Sequence, residues 1–418
     1  MRFRVGREAL GEAVAWVARA LPSRPVVPVL SGLLLQADDD ALTLSCFDYE
    51  VSARVRIEAD VKEPGTALVP GRLLADITRS LPALDVEVAS DADLVGLTCG
   101  SAEFSLVSLP VAEYPVLPDP PPTAGTVDGG VLAVAAAQVV PAASRDDTLP
   151  MLTAICLDID GETLTLAATD RYRLAVRDVR WDPAAPGLRA VAMVPARTLA
   201  DVARTMSAGA PVTIAFGAGE PETGAAGRAG PGRDPRPADG VISFEGGDRR
   251  LTARLIGGEF IRYRSRFPAE FGSRAVLPAG LFTEAVRRVS LVAERASPVR
   301  LAFGPGNVVI EAQTDGRARA VETVPADFEG GERVISFSPH YLLDGLAAAA
   351  ASAAPARQAA AARDGDEAPP GPGEIRLEFS AAAKPALITW VGDDGPAPGD
   401  PGPAFRYLVV PLRIPARA

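Results

Sequence analysis

Leu10, Val14, Val17 and Leu21 recur at helical spacing and the run stops at Pro22, so residues 7–21 are expected to form an amphipathic helix. Strand-like runs follow at about 30–36, 42–47 and 51–59, then a second helix over 68–81, opened near Pro70, and further strands between 84 and 109. Past a Pro- and Gly-rich stretch at 117–130, which reads as a domain boundary, the same order begins again. An apolar helix-like run covers 131–143, strands are expected at about 152–160, 163–168 and 172–179, and a helix lies within 193–206. Midway through this second copy Leu164, Leu166 and Ala168 alternate, then Tyr172, Leu174 and Val176. Thr169-Asp170 supplies Asx-type turn chemistry at the joint, which predicts a β-hairpin.

The two copies are related in detail. Val69-Pro70, Arg72, Leu74-Ala75-Asp76 and Arg79 match Val194-Pro195, Arg197, Leu199-Ala200-Asp201 and Arg204, each 125 residues further on. A fainter third copy places one helix at about 278–293, with Leu281, Ala285, Val289 and Val292 on one face, and another opening within 337–346. There Leu342-Leu343-Asp344 echoes Leu199-Ala200-Asp201. Strands interrupted by two helices, three times over, predict an α+β chain of three repeated domains at 1–120, 128–255 and 256–418. Three segments stand outside the repeat: 217–240, 347–373 and 393–404, rich in Ala, Gly and Pro. They read as surface insertions, since such composition buries too little apolar area to offset its ordering entropy.

Composition adds limits. With 418 residues the chain exceeds one core, and 48% hydrophobic with 23% charged residues is an ordinary globular balance. No apolar run is long enough to cross a bilayer, and charges occupy the N-terminus where a signal peptide needs an apolar core, so a cytosolic protein is expected. Cys46, Cys99 and Cys156 are odd in number and lack metal-ligand spacing, which predicts buried thiols. A net charge of −11 argues against gripping nucleic acid with the whole surface. The six helical segments nevertheless carry +2 between them, which leaves −13 for the rest of the chain. That segregation suits helices facing DNA and sheets facing solvent, though a solvated helix face gives the same tally.

Catalytic chemistry is sparse. There is one histidine, His340, spaced to pair with Asp344 on a helix surface. No Gly-Lys-Ser/Thr phosphate loop, Gly-x-Ser-x-Gly elbow or paired-histidine metal motif occurs. Asp158, Asp160 and Glu162 invite a cation-site reading, but their alternation around Ile159 before Gly161 fits a solvated strand edge better. A nucleic-acid enzyme built on the same repeat would need a carboxylate cluster or nucleophile pair, and the sequence shows neither.

Four stretches carry a resemblance to a known family. They are Met1-Arg2-Phe3 through Arg24-Pro25 and Pro28-Val29-Leu30, Thr148-Leu149-Pro150-Met151-Leu152, Ala168-Thr169-Asp170-Arg171-Tyr172-Arg173-Leu174-Ala175, and Tyr407-Leu408-Val409-Val410-Pro411-Leu412-Arg413. Together they make the chain resemble the bacterial sliding clamp, the β subunit of DNA polymerase III. The resemblance implies three DNA-clamp (processivity-fold) domains per chain, paired head to tail as a homodimeric ring around double-stranded DNA. It implies no catalysis, cofactor or metal. The implied partners are the replicative polymerase alpha subunit, the clamp loader and other proteins carrying a Gln-x-x-Leu-Phe type motif.

Carried over residue by residue, the resemblance puts the peptide pocket at Leu152, Thr169, Arg171, Tyr172, Arg173 and Leu174, with Tyr341, Val409, Pro411, Leu412 and Arg413. It puts DNA contacts at Arg24 and Arg197, and the dimer interface at Phe104 and Leu291. Three departures stand out: Phe260-Ile261 where the family has Phe-Pro, Ser290 at an interface position usually apolar, and the extension Pro415 to Ala418. They leave a specialised paralogue, with altered partner or inhibitor binding, as the alternative.

Overall fold

The computed structural model describes residues 1–412 apart from 92, 207–209, 218–239, 295–296, 315–316, 332, 354–372, 381–383 and 394–402. Six helices of ten or more residues occur among the described residues: α1 (Arg7–Val17), α2 (Gly71–Ser80), α3 (Gly129–Val139), α4 (Ala196–Thr205), α5 (Ala279–Ser290) and α6 (Pro339–Ala350). A recurring junction starts three of them. The strands Gly65–Pro70, Arg189–Pro195 and Ser273–Pro278 each end on proline and run straight into α2, α4 and α5. Proline offers no N–H to the strand ladder and carries a φ that suits a helix start, so the chain changes from one period to the other there.

The chain forms two compact units. The first comprises Met1–Gly129, Arg204–Glu220 and Asp239–Leu255. Its five-stranded sheet runs Asp60–Glu63, Arg2–Val5, Val86–Ser90, Leu94–Cys99, Ala102–Val107. A second antiparallel run takes Thr123–Asp128, Pro211–Phe216, Val241–Gly246, Arg249–Arg254, Val51–Glu58, Ala41–Phe47, Gly32–Asp38 and Gly65–Pro70 in that order. Leu10, Val14 and Val17 of α1 and Leu74 and Ile77 of α2 are buried, so the stripe seen in the sequence is the core face.

The described residues of the second unit fall within Gly130–Ala203 and Ile256–Ala418. Its main antiparallel sheet runs Arg189–Pro195, Ala154–Asp160, Thr163–Thr169, Arg173–Arg180, Phe405–Val409, Ala386–Trp390, Glu374–Phe379, Ser273–Pro278, Asp327–Glu329. Strands of the second and third sequence repeats therefore meet at one ladder, Arg173↔Val409 through Arg177↔Phe405. A smaller sheet runs Ala318–Pro325, Asn307–Thr314, Val299–Gly304, Arg333–Phe337. On the helical side, buried Gln138 of α3 donates to Ala348 O and to Ser352 Oγ, both at 2.9 Å, tying α3 to the end of α6.

Several expectations need correcting. The 117–130 stretch, read as a domain boundary, also holds a strand, Thr123–Asp128, with Ala124 and Val127 buried. The insertion expected from residue 347 begins later: α6 runs to Ala350, followed by a 3-10 turn over Ala351–Ala353. Alanine is the best helix former, and Ala348 and Ala349 are buried, so local propensity and packing agree there. The rest of that segment, and the 217–240 and 393–404 segments apart from their ends, lie outside the described residues. Ala154–Asp160 is no edge strand, being paired on both sides. Asp158 accepts from Tyr263 Oη at 2.6 Å and pairs with Arg264 at 2.9 Å, Asp160 pairs with Arg189 at 2.9 Å, and Glu162 with Arg180 at 2.8 Å.

Candidate peptide-binding site

The predicted hairpin forms, with a wider joint than expected. Thr163–Thr169 and Arg173–Arg180 pair as far as Thr169↔Leu174, which leaves Asp170, Arg171 and Tyr172 to turn the chain. Asp170 Oδ1 accepts the backbone N–H groups of Tyr172 and Arg173, both at 3.0 Å. Thr169 Oγ1 accepts Arg171 N–H at 3.1 Å and donates to Arg173 O at 2.6 Å. This double use of the Asp carboxylate forces Arg171 into the left-handed region, φ 80°, and moves Tyr172 off the strand into the loop, 52% exposed.

Among the described residues the same turn recurs at Asp48. Asp48 Oδ1 accepts Glu50 N–H at 3.0 Å and Val51 N–H at 2.7 Å, and Tyr49 has φ 74°. Even the next strand is engaged alike: Arg254 N–H donates to Glu50 O, and Val410 N–H to Tyr172 O, each at 2.8 Å. What differs is position 51 against position 173.

Arg173 is 9% exposed, and its charge meets two carboxylates. Nε donates to Asp170 Oδ2 at 2.9 Å, and Nη1 donates to Asp344 Oδ2 at 2.5 Å and to Tyr407 Oη at 3.4 Å. Burial works against its charge, but Tyr407, Asp344 and Asp170 outweigh it and raise the guanidinium pKa. The guanidinium carbon lies 4.6 Å from the Tyr341 ring centroid, a cation–π contact, and the Tyr341 ring stacks on Tyr172 with centroids 6.0 Å apart. Helix α6 reaches this network because Gly345 lets it lie against Tyr407: a Cβ there would come within 2.5 Å of the Tyr407 ring. Four residues along the same strand, Arg177 makes a second such link, donating to Asp393 Oδ2 at 3.1 Å.

The other expected pocket residues converge on this end of the sheet. Val409 pairs with Arg173, Val410 bonds to Tyr172, and Leu412 N–H donates to Ser336 O at 2.7 Å. Leu152 closes a short 3-10 turn just before Ala154, at the sheet end that register assigns to Thr169. Nearby, the Asp146 carboxyl is held below its usual range, first by hydrogen bonds from Thr148 and further by Arg171. Exposure divides the set. Arg171, Tyr172 and Leu412 are exposed, Leu152 and Tyr341 intermediate, and Thr169, Arg173, Val409 and Pro411 buried. Leu174, at 5% exposure, packs with Cys156, Val176, Tyr263 and Leu408 in an apolar cluster. Arg413 and the extension Pro415 to Ala418 lie outside the described residues.

Sequence reasoning missed Asp170, Asp344 and Tyr407 as the partners of Arg173. The expected His340–Asp344 pair does not form: His340 Nδ1 lies 2.8 Å from Ser338 Oγ, and Asp344 turns to Arg173 instead, because a buried guanidinium outcompetes an exposed imidazole. Burial and then Arg173 lower the His340 pKa. Elsewhere, Arg24 and Arg197 are exposed, Phe104 is 37% and Leu291 82% exposed. Ser290 Oγ donates back to Val286 O at 2.5 Å, and Ile261 is 37% exposed while Phe260 packs on the Leu174 cluster.

A fold of repeated strand-and-helix units, in which the second and third repeats share a ladder, defines a clamp-type protein. Family models for the DNA polymerase III beta subunit match its N-terminal domain at residues 1–118, its central domain at 126–261 and its C-terminal domain at 264–356. Over 418 residues the chain is 46% identical to the beta sliding clamp of Streptomyces coelicolor, covering 99% of this chain and 100% of that one. Against the beta sliding clamp homolog GriR of Streptomyces muensis it is 43% identical over 346 residues, covering 83% and 88%. The crystal structure of the DNA polymerase III subunit beta from Pseudomonas aeruginosa superposes with a TM-score of 0.81 at 25% identity, covering 99% and 100%. The chain belongs to the DNA polymerase III beta subunit family, the bacterial sliding clamps of DNA replication. Likeness to GriR is lower in both level and extent, so the specialised-paralogue alternative gains no support from it.

Proposed function

We propose that this chain is a non-catalytic processivity factor of the cytosol, working as a homodimeric ring around double-stranded DNA. Its three domains, at 1–120, 128–255 and 256–418, repeat one clamp module. Peptides of Gln-x-x-Leu-Phe type, from the polymerase alpha subunit, the clamp loader and other partners, dock at Arg171, Tyr172, Tyr341 and Leu412. The observation that carries this reading is the convergence of exposed aromatic, apolar and cationic side chains where the 173–180 and 405–409 strands pair. An extended apolar-anchored peptide needs such a surface: rings and Leu412 to cover its Leu-Phe, and polar groups to hold its backbone.

Titrating a labelled Gln-x-x-Leu-Phe peptide tests the pocket, and no saturable binding by a folded protein would refute it. Solution mass tests the ring through Leu291 and Phe104, which requires two chains. Arg24 and Arg197 are exposed, so replacing both with alanine is expected to leave melting unchanged while shortening DNA retention at moderate salt.

A further inference from the structure

The turn at Asp48 shows that the hairpin does not need an arginine. With Val51 in the place of Arg173, the carboxylate of Asp48 still gathers two N–H groups and Tyr49 still takes a positive φ. Arg173 therefore serves something beyond the turn. Its guanidinium is clamped between Asp170 of the turn and Asp344 of α6, and in that position lies against the Tyr341 ring, which in turn stacks on exposed Tyr172. Asp344 is the one ionic partner supplied by the helix, and with 41% of its side chain exposed it is not needed to fill the core. Without it the guanidinium keeps Asp170 but loses the bond that fixes its plane over Tyr341.

We propose that Asp344 is a positioning residue for partner-peptide binding, acting through Arg173 to hold the Tyr341–Tyr172 pair in the orientation that receives the peptide. This rests on the reading of the site as a peptide pocket. Asp344 acts at one remove, since the aromatic pair and not the carboxylate meets the ligand. The link also couples α6 to the turn, so the pocket is set only when helix and hairpin are in register with each other.

The test compares full-length wild type with Asp344→Asn, Asp344→Ala and Asp344→Glu, each by peptide titration, by solution mass and melting, and by NMR of carbon-13-labelled tyrosine rings. The chain has six tyrosines, so the Tyr172 and Tyr341 signals can be assigned with single Phe replacements. Expected are an affinity loss of about tenfold for the Asn and Ala variants, the value of one hydrogen bond to a charged group, with melting nearly unchanged. The Tyr172 and Tyr341 signals should shift, with Tyr407, which shares Arg173 Nη1 with Asp344, while the other three stay, and the Glu variant should recover most of the affinity. Ala is favoured in a helix, so it stands in should the Asn variant not fold. Unaltered affinity and ring signals in folded Asn or Ala variants, beside a wild type that binds, would overturn the positioning role alone. Failure of Glu to bind better than Ala would overturn it too. A wild type that binds no better than it binds a scrambled peptide overturns the pocket and this proposal together.

Discussion

Two turns of this molecule share a backbone and differ in what they carry. At Asp48 and at Asp170 the same Asx turn, the same left-handed residue and the same bond from a following strand recur. The ladders continue alike, Val51↔Ala253 in one and Arg173↔Val409 in the other. Side chains then diverge: Tyr49-Glu50-Val51-Ser52 against Arg171-Tyr172-Arg173-Leu174. In the first turn Glu50 makes only a loose, exposed ion pair with Arg254 at 3.6 Å, whereas in the second a buried arginine links turn, helix and sheet. The comparison teaches that one turn geometry recurs at Asp48 and Asp170 while its side-chain chemistry does not. The two turns differ in four consecutive side chains on one backbone scaffold.

Exchanging those side chains breaks or sharpens the comparison. Leu174→Ser, which installs the residue of the first turn, should cost about 3–5 kcal/mol in urea denaturation, since it empties a fully packed position and buries a hydroxyl. Arg173→Val should cost about 3 kcal/mol, because Asp170 is left 12% exposed without its cation, and should abolish peptide binding. The reciprocal Val51→Arg should gain no peptide affinity, since it brings neither the Tyr172–Tyr341 pair nor Leu412 with it. Tyr172→Glu, again borrowed from the first turn, is expected to change stability by less than about 0.5 kcal/mol at its exposed position, yet weaken the peptide about tenfold. A stability loss as large as that of Arg173→Val would show that Tyr172 serves the fold.

The smallest effect concerns His340. Its pKa in the folded chain is lowered from 6.5, so the unfolded chain takes up the proton more readily and stability falls as pH drops through that value. Melting followed from pH 7.5 to 5 should show this slope, and His340→Gln should flatten it slightly. An unchanged slope would assign the acid sensitivity to other groups.

Much of this was legible beforehand. Helical spacing located all six helices, and the proline-ended strands that launch α2 and α4 appeared as a repeat at an offset of 125. Three thiols expected to be buried are so. The resemblance named residues that include paired neighbours of one ladder, but it could not tell which of them stand open: Leu174 and Val409 are interior while Tyr172 and Leu412 face out. Strand period also misplaced Tyr172, because a carboxylate accepting two backbone N–H groups widens a turn at no cost visible in hydrophobic alternation.

By itself, then, the sequence determined the periods, the breakpoints and the threefold order, since these depend on neighbours within a few residues. Only tertiary structure decided where each charge would end. Asp344 sits four residues from His340 and 171 from Arg173, and it bonds the distant one. The physical reason is desolvation: a guanidinium carried into the interior by its strand must find anions wherever the fold provides them, while an exposed histidine has water.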